Sequence, residues 1–308
     1  LGMYDVCFEL NVTPNRPDAL CHRGVARELA AKFNRPLKPL TYNLVEEAEA
    51  ASSAATVEVI PGCGCSRYTA RVIKDVDVKP SPSWLAKLLH TVGMNSINNV
   101  VDVTNFILMD VGQPLHSFDM DQLKGSMIKV RRAVKGEKIE TIDHTDHELT
   151  EAELVICDGD RPVAVAGTMG GVESEIVDST KNVLLESAYF NPTIVRKQAK
   201  RLGISSDSSY RFERGIDTTT QDEYSKYACG LIQEVAGGKV LKGCVEYTGD
   251  DHQKELLKVD LRVSRVAKII GMDVPAEKIK SLLTGIDLKL VAESGETMTF
   301  EIPGNRPD

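Results

Sequence analysis

The sequence predicts an α+β or mixed α/β protein, with a central domain held between two small, mutually related lobes. Three observations carry this. Short β-branched segments alternate irregularly with amphipathic helices between residues 57 and 250, without the strict repeat of a doubly wound sheet. A small-residue, acidic stretch at 45–56 with no large apolar stripe sets the first lobe apart. Phe8-Glu9-Leu10, followed by Pro14-Asn15-Arg16-Pro17-Asp18, returns as Phe300-Glu301-Ile302 followed by Pro303, Asn305-Arg306-Pro307-Asp308. Each is a strand stopped by a proline turn, because proline cannot extend a ladder.

The elements follow in chain order. Residues 5–12 are β-branched and aromatic, which predicts a strand, and Thr13-Pro14-Asn15-Arg16-Pro17-Asp18 breaks it. Over 20–33, Val25, Ala26, Leu29, Ala30 and Phe33 share one helical face. The 45–56 stretch reads as a linker or a loosely attached helix. Strands are predicted at 67–74, 100–108, 127–133, 153–158, 162–166, 183–189 and 242–248, and helices at 83–92, 192–202 and 219–236. Beyond 255, Val259-Asp260-Leu261 leads into helices at 262–270 and 275–284 and strands at 286–291 and 297–302. The domains are therefore a first lobe (1–44), a linker (45–62), a central domain (63–250) and a second lobe (251–308). The second lobe stops amid strand-and-turn chemistry, so the chain reads as a piece of a longer polypeptide.

The 308 residues are 42% hydrophobic and 27% charged, which suits globular domains and excludes disorder. No apolar run approaches 18 residues and no signal-like start is present, so the sequence points away from membranes and secretion. The net charge of −8 excludes coating of nucleic acid by bulk charge; any such contact must be local. Seven cysteines, odd in number and irregularly spaced, read as reduced thiols of a cytoplasmic protein. Cys63-Gly64-Cys65 lacks the second pair that a zinc site needs.

Several stretches carry polarity in apolar settings. Asn98-Asn99-Val100-Val101-Asp102-Val103-Thr104-Asn105 puts Asp102, Thr104 and Asn105 in a predicted strand, where buried polar groups must find partners. His116 follows in Gly112-Gln113-Pro114-Leu115-His116-Ser117-Phe118-Asp119, either as a structural hydrogen-bonder or as a proton carrier facing a cleft. Ala166-Gly167-Thr168-Met169-Gly170-Gly171 is no phosphate loop; its glycines allow either close ligand approach or tight packing. Glu186 sits among Leu184, Leu185, Ala188 and Phe190, and a buried carboxylate demands a partner. Arg196, Lys197, Lys200 and Arg201, with Arg211 and Arg214 beyond, make a locally basic segment. It is either a solvated face or an RNA-backbone contact. The serines at 205–209 lack a nucleophile elbow, which argues against a covalent serine hydrolase.

Together these stretches, with Gly24-Val25-Ala26-Arg27-Glu28-Leu29-Ala30 and Ser206-Asp207-Ser208-Ser209-Tyr210-Arg211-Phe212-Glu213-Arg214-Gly215-Ile216-Asp217, resemble the β subunit of bacterial phenylalanyl-tRNA synthetase over essentially the whole chain. The resemblance implies a fragment that completes the B1 lobe, spans the B3/B4 editing module and enters the winged-helix-like B5 lobe. In the family, B3/B4 hydrolyses tyrosine misattached to tRNA(Phe), and aminoacylation belongs to the α subunit of an α2β2 heterotetramer.

Carried over by position, the resemblance implies that Thr104, Asn105 and His116 hold the amino group, ester or water of the substrate. Glu186 meets the tyrosine hydroxyl, and Gly170, Ser206 and Ser208 line the pocket. Ser206 stands where the family usually has threonine and Ser208 where it has alanine. A buried carboxylate suits a site that must admit tyrosine and refuse phenylalanine, since a missing hydroxyl would leave it unpaired. Asp308 corresponds to the start of the family's magnesium site, whose other acidic residues lie beyond it. One carboxylate does not satisfy Mg²⁺. No cofactor is expected for editing; Mg²⁺ and ATP are implied for the complete enzyme. A competing reading is a non-catalytic scaffold that docks tRNA and the α subunit around a vestigial pocket.

Overall fold

The computed structural model describes residues 6–159, 161–250, 252 and 255–308. In chain order the elements are α1 (His22–Phe33), β1 (Glu46–Ala50), β2 (Thr56–Val59), β3 (Cys65–Lys74), α2 (Ser83–Thr91), α3 (Val101–Val111), β4 (Leu115–Asp119) and β5 (Met127–Arg132). Next come β6 (Lys138–Glu140), β7 (Asp146–Glu148), β8 (Leu154–Asp158), β9 (Arg161–Val165), β10 (Met169–Gly170), β11 (Val183–Phe190), α4 (Pro192–Leu202) and α5 (Asp207–Phe212). The last are α6 (Gln221–Ala236), β12 (Lys239–Lys242), β13 (Val245–Thr248), β14 (Lys258–Arg262), α7 (Val263–Ile270), α8 (Ala276–Thr284), β15 (Lys289–Ser294) and β16 (Thr297–Glu301).

Two sheets build the central region. One runs β1-β12-β3-β11-β4, with β13 also on β3; the other runs β10-β9-β8-β5-β2. Side chains alternate across a strand, so β11 serves two cores at once. Leu184, Ala188 and Phe190 enter the core between the sheets with Tyr68, Phe118, Ile128 and Ile156. Val183 and Leu185 pack on the other face with Val103 and Ile107 of α3 and Ile232 of α6. Glu186 shares the alternation of Leu184 and Ala188, which puts a carboxyl into the inter-sheet layer. A three-stranded sheet, β14-β16-β15, packs with α7 and α8 around its own core of Ile279, Met298 and Phe300. The mixed α+β class is as expected.

Four expectations are corrected. Residues 100–108 are helix α3, not a strand. The Asn98 side chain accepts the Val100 and Val101 N–H groups at 3.1 and 2.9 Å, which starts the helix, and Gly112 at φ +81° ends it. Burial at Val100, Val103, Thr104, Ile107, Leu108 and Val111 has helical spacing, and packing overrides the strand preference of the β-branched residues. The acidic 45–56 stretch is not a linker: β1 pairs in parallel with β12 and β2 with β5. Its acids find cations there, Glu49 on Lys74 at 2.7 Å and Glu46 on Arg71 at 3.1 Å. Residues 6–12 of the first predicted strand form no ladder, and Phe8 is 81% exposed; position 5 lies outside the described residues. The strand expected at 286–291 starts at Lys289. The proposed boundary at 250/251 also touches a position outside the described residues.

The repeated Asn-Arg-Pro-Asp motif folds the same way twice. Arg16 N–H donates to Thr13 O and Arg306 N–H to Pro303 O, each at 3.0 Å. In both copies the arginine forks onto the aspartate two residues on, Arg16 to Asp18 and Arg306 to Asp308.

Candidate active site

All seven residues expected to form the pocket line one cavity of about 180 Å³: Thr104 and Asn105 from α3, His116 from β4, Gly170 from β10, Glu186 from β11, and Ser206 and Ser208 from α5 and its cap. Pro114, Leu115, Ile142, Ile156, Phe212 and most of the 164–169 segment complete the wall. An apolar cavity of roughly 150 Å³ takes up benzene, so this one has room for an aromatic side chain.

The ladder fixes the chemistry. His116 lies directly opposite Glu186 in the β4–β11 pairing, so their side chains share a face. The Tyr68 hydroxyl donates to Glu186 Oε2 at 2.6 Å, reaching diagonally from β3, where Ala70 is the direct partner. Oε1 of Glu186 has no hydrogen-bond donor among the described residues. Burial raises the Glu186 carboxyl to about 7, against the lowering effect of the Tyr68 hydrogen bond.

Burial lowers the His116 imidazole to about 4, so the ring is neutral at physiological pH. Its Nε2 is buried with no hydrogen-bond partner among the described residues, and its ring packs edge-on to Phe118 at 4.4 Å. A Cβ at position 170 would lie 2.5 Å from His116 Cε1, so only glycine allows β10 to approach the imidazole this closely.

Two of the expected contact groups have other duties. Ser206 Oγ donates to Thr168 O at 2.7 Å and accepts from Ser209 N at 3.0 Å, capping α5 and fastening it to the loop before β10. Thr104 Oγ1 donates to Val101 O at 2.7 Å within its own helix. These residues shape the wall, whereas the Asn105 side chain lines it with no hydrogen bond among the described residues. Asp102, by contrast, is a structural acid, bonded by Ser81, Ser96 and the Ile97 N–H. Tyr68, Ile142 and Phe212 were not singled out from the sequence. Tyr68 shares its face with Ala70 and Val72, but only cross-strand register reveals that it meets Glu186.

The basic segment divides. Arg196, Lys197 and Lys200 are exposed along α4. Arg201 instead forks onto the buried Glu153 at 2.6 and 2.7 Å. Arg211 is buried and bonded to Asp207 and Leu20 O, and Arg214 stacks on Tyr210 at 3.4 Å. The Asp308 carboxylate is committed to Arg306, and no group of three or more His, Cys, Asp or Glu among the described residues can hold a metal. These residues do not fit Mg²⁺, which takes several oxygen ligands. No described helix is long and apolar enough to cross a membrane.

The chain belongs to the B3/4 domain family, whose model covers more than half of it. The B3/4 domain family model matches residues 64–237, and the tRNA synthetase B5 domain model matches 259–308. Its curated relatives include the phenylalanine–tRNA ligase beta subunit of Syntrophus aciditrophicus, 42% identical over 98% of this chain and 37% of that protein. The corresponding protein of Geobacter sulfurreducens is 44% identical over 100% of this chain and 38% of its own length. The chain thus spans little more than a third of these relatives. A crystal structure of an N-terminal fragment of the phenylalanyl-tRNA synthetase beta-subunit from Pyrococcus horikoshii covers 96% of this chain and 80% of its own, at 14% identity and a TM-score of 0.43.

Proposed function

We propose that the cavity is a post-transfer editing site that hydrolyses tyrosine wrongly esterified to tRNA(Phe). It would act within a cytoplasmic α/β phenylalanine–tRNA ligase whose α subunit performs the ATP- and Mg²⁺-dependent charging. The observation that carries the proposal is Glu186: a buried carboxyl with one oxygen held by Tyr68 and the other without a donor among the described residues, in a cavity of aromatic size. A tyrosine side chain entering there would give the free oxygen a donor, and a phenylalanine side chain would leave it without one. Sites of this kind discriminate by factors of about 10⁴ or more, because the wrong ligand strands a buried polar group.

The proposed hydrolysis needs no covalent nucleophile. An aminoacyl ester is labile, and holding it beside an oriented water supplies much of the barrier reduction. The neutral His116 imidazole, with Nε2 buried and unpartnered among the described residues, would orient that water or the ester by hydrogen bonding; an imidazole lowered to about 4 is a weak proton acceptor. Asn105 would bind the amino group or the ester, and Thr104 would act through the wall it shapes. Arg196, Lys197 and Lys200 on α4 are the proposed RNA-backbone contacts.

The test is deacylation of tyrosyl-tRNA(Phe) and phenylalanyl-tRNA(Phe) by the complete synthetase and by its Glu186→Ala variant. The expected result is normal folding with loss of preference for the tyrosyl ester. Tyrosyl hydrolysis with unchanged preference in the variant would overturn the assignment of Glu186, and a wild-type enzyme that hydrolyses no tyrosyl ester would favour a scaffold with a vestigial pocket.

A further inference from the structure

We propose that Tyr68 is a positioning residue for specificity: its hydroxyl pins one oxygen of Glu186 so that the other is presented, as carboxylate, to the hydroxyl of the substrate ring. The inference rests on the editing reading of the cavity and adds to it a residue that does not line the cavity. Tyr68 is fully buried in the inter-sheet core, and its hydroxyl ends on Glu186 Oε2 at 2.6 Å. It emerges from β3 two residues from Ala70, the cross-strand neighbour of Glu186, so the contact is a diagonal pair fixed by the ladder.

The pair solves a problem that the site creates for itself. A carboxylate kept ready for a phenol must be buried, yet a buried carboxylate without donors takes up a proton. A protonated Glu186 is a weaker acceptor and can turn its own O–H toward the ring, which blurs the distinction between tyrosine and phenylalanine. The Tyr68 hydroxyl favours the charged form and holds the carboxyl plane, leaving Oε1 free. The titratable groups facing Glu186 are Tyr68 from β3 and His116 from β4; His116 is neutral and adds no charge. From α3, Thr104 and Asn105 do not titrate. Burial holds the carboxyl at about 7 even with the Tyr68 bond in place, so losing that bond moves it higher still.

The experiment measures kcat and KM for tyrosyl- and phenylalanyl-tRNA(Phe) hydrolysis from pH 6 to 9 in the complete synthetase. Three forms are compared: wild type, Tyr68→Phe, and protein with 3-fluorotyrosine at position 68, whose more acidic hydroxyl donates more strongly. Tyr68→Phe is expected to move the acid limb of the tyrosyl profile to higher pH and to lower tyrosyl-over-phenylalanyl preference at pH 7 about tenfold, the usual worth of a hydrogen bond to a charged group. Fluorotyrosine is expected to move the limb the other way. Limbs that coincide in all three forms, with preference unchanged within twofold, would overturn the role of Tyr68 while leaving the editing reading intact. A wild-type enzyme that hydrolyses no tyrosyl ester would instead remove the editing reading and this role with it. Should Tyr68→Phe fail to fold, the fluorotyrosine protein, which keeps every group in place, decides the question by the direction of its shift.

Discussion

A carboxyl that burial keeps half-protonated near neutrality weakens the fold that contains it. In the unfolded chain Glu186 ionises near 4.5, and in the folded protein at about 7, so the folded state holds the proton more tightly. Stability therefore falls as pH rises from about 4.5 to 7 and is level above that. The interval corresponds to about 3 kcal/mol. Glu186→Gln keeps an acceptor for Tyr68 and removes the charge. The variant is expected to be more stable than wild type by about 2–3 kcal/mol at pH 8 and by much less at pH 5, as measured by urea denaturation at the two pH values. Gly170→Ala tests the close approach of β10 to the imidazole. The added methyl drives His116 from its place, so deacylation is expected to fall by roughly one to two orders of magnitude, as for other angstrom-scale misplacements. The thermal midpoint should change by only a few degrees.

Helix α4 shows how one buried amide organises an element. Gln198 donates to Ala166 O at 2.6 Å and to Thr168 Oγ1 at 2.9 Å, and it accepts from Leu154 N at 2.9 Å. It thereby joins α4, β8 and the loop that leads into β10 and Gly170. Gln198→Leu strands these partners and is expected to cost about 2–4 kcal/mol in chemical denaturation, with loss of deacylation following from loop movement. Sequence patterning revealed α4 because asparagine capping, proline at the first turn and Gly203 all agree. It misread α3, where Val100, Val101, Val103 and Ile107 favour a strand locally and only the buried stripe and the Asn98 cap declare a helix. It passed over β4, since five residues after Pro114 show no period long enough to register; their pairing with β11 is a tertiary fact. The individual pocket residues were legible through resemblance, and through the oddity of a glutamate in an apolar strand. Tyr68 was not legible, because a tyrosine in a strand is ordinary and its partner is 118 positions away.

At the scale of the whole molecule, the cavity and the second lobe draw on separate cores. Among the described residues, the inter-sheet core and the helix-facing core contain none from beyond 247, whereas Ile279, Met298 and Phe300 form a cluster of their own. One contact of the second lobe is the ion pair of Arg27 with Asp287 at 2.7 Å, with the aspartate side chain 56% exposed. Such a pair contributes on the order of 1 kcal/mol or less. Deleting 255–308 is therefore expected to leave the rest folded, with thermal unfolding still cooperative and tyrosine binding by calorimetry unchanged within about twofold.

The segment from Gln113 to Asp119 behaves as a ruler of fixed length. At one end the buried Gln113 amide donates to Ala188 O, and at the other Asp119 accepts from the Thr180 hydroxyl at 2.6 Å. Between them the residues are matched one to one with β11, and a shift by a single position would set Leu115 or Ser117 against Glu186 in place of His116. Length variation among working relatives should then fall outside this interval, in the turn at 120–126 or the hairpin tip at 141–145. Within it a sequence can change its letters but not their number.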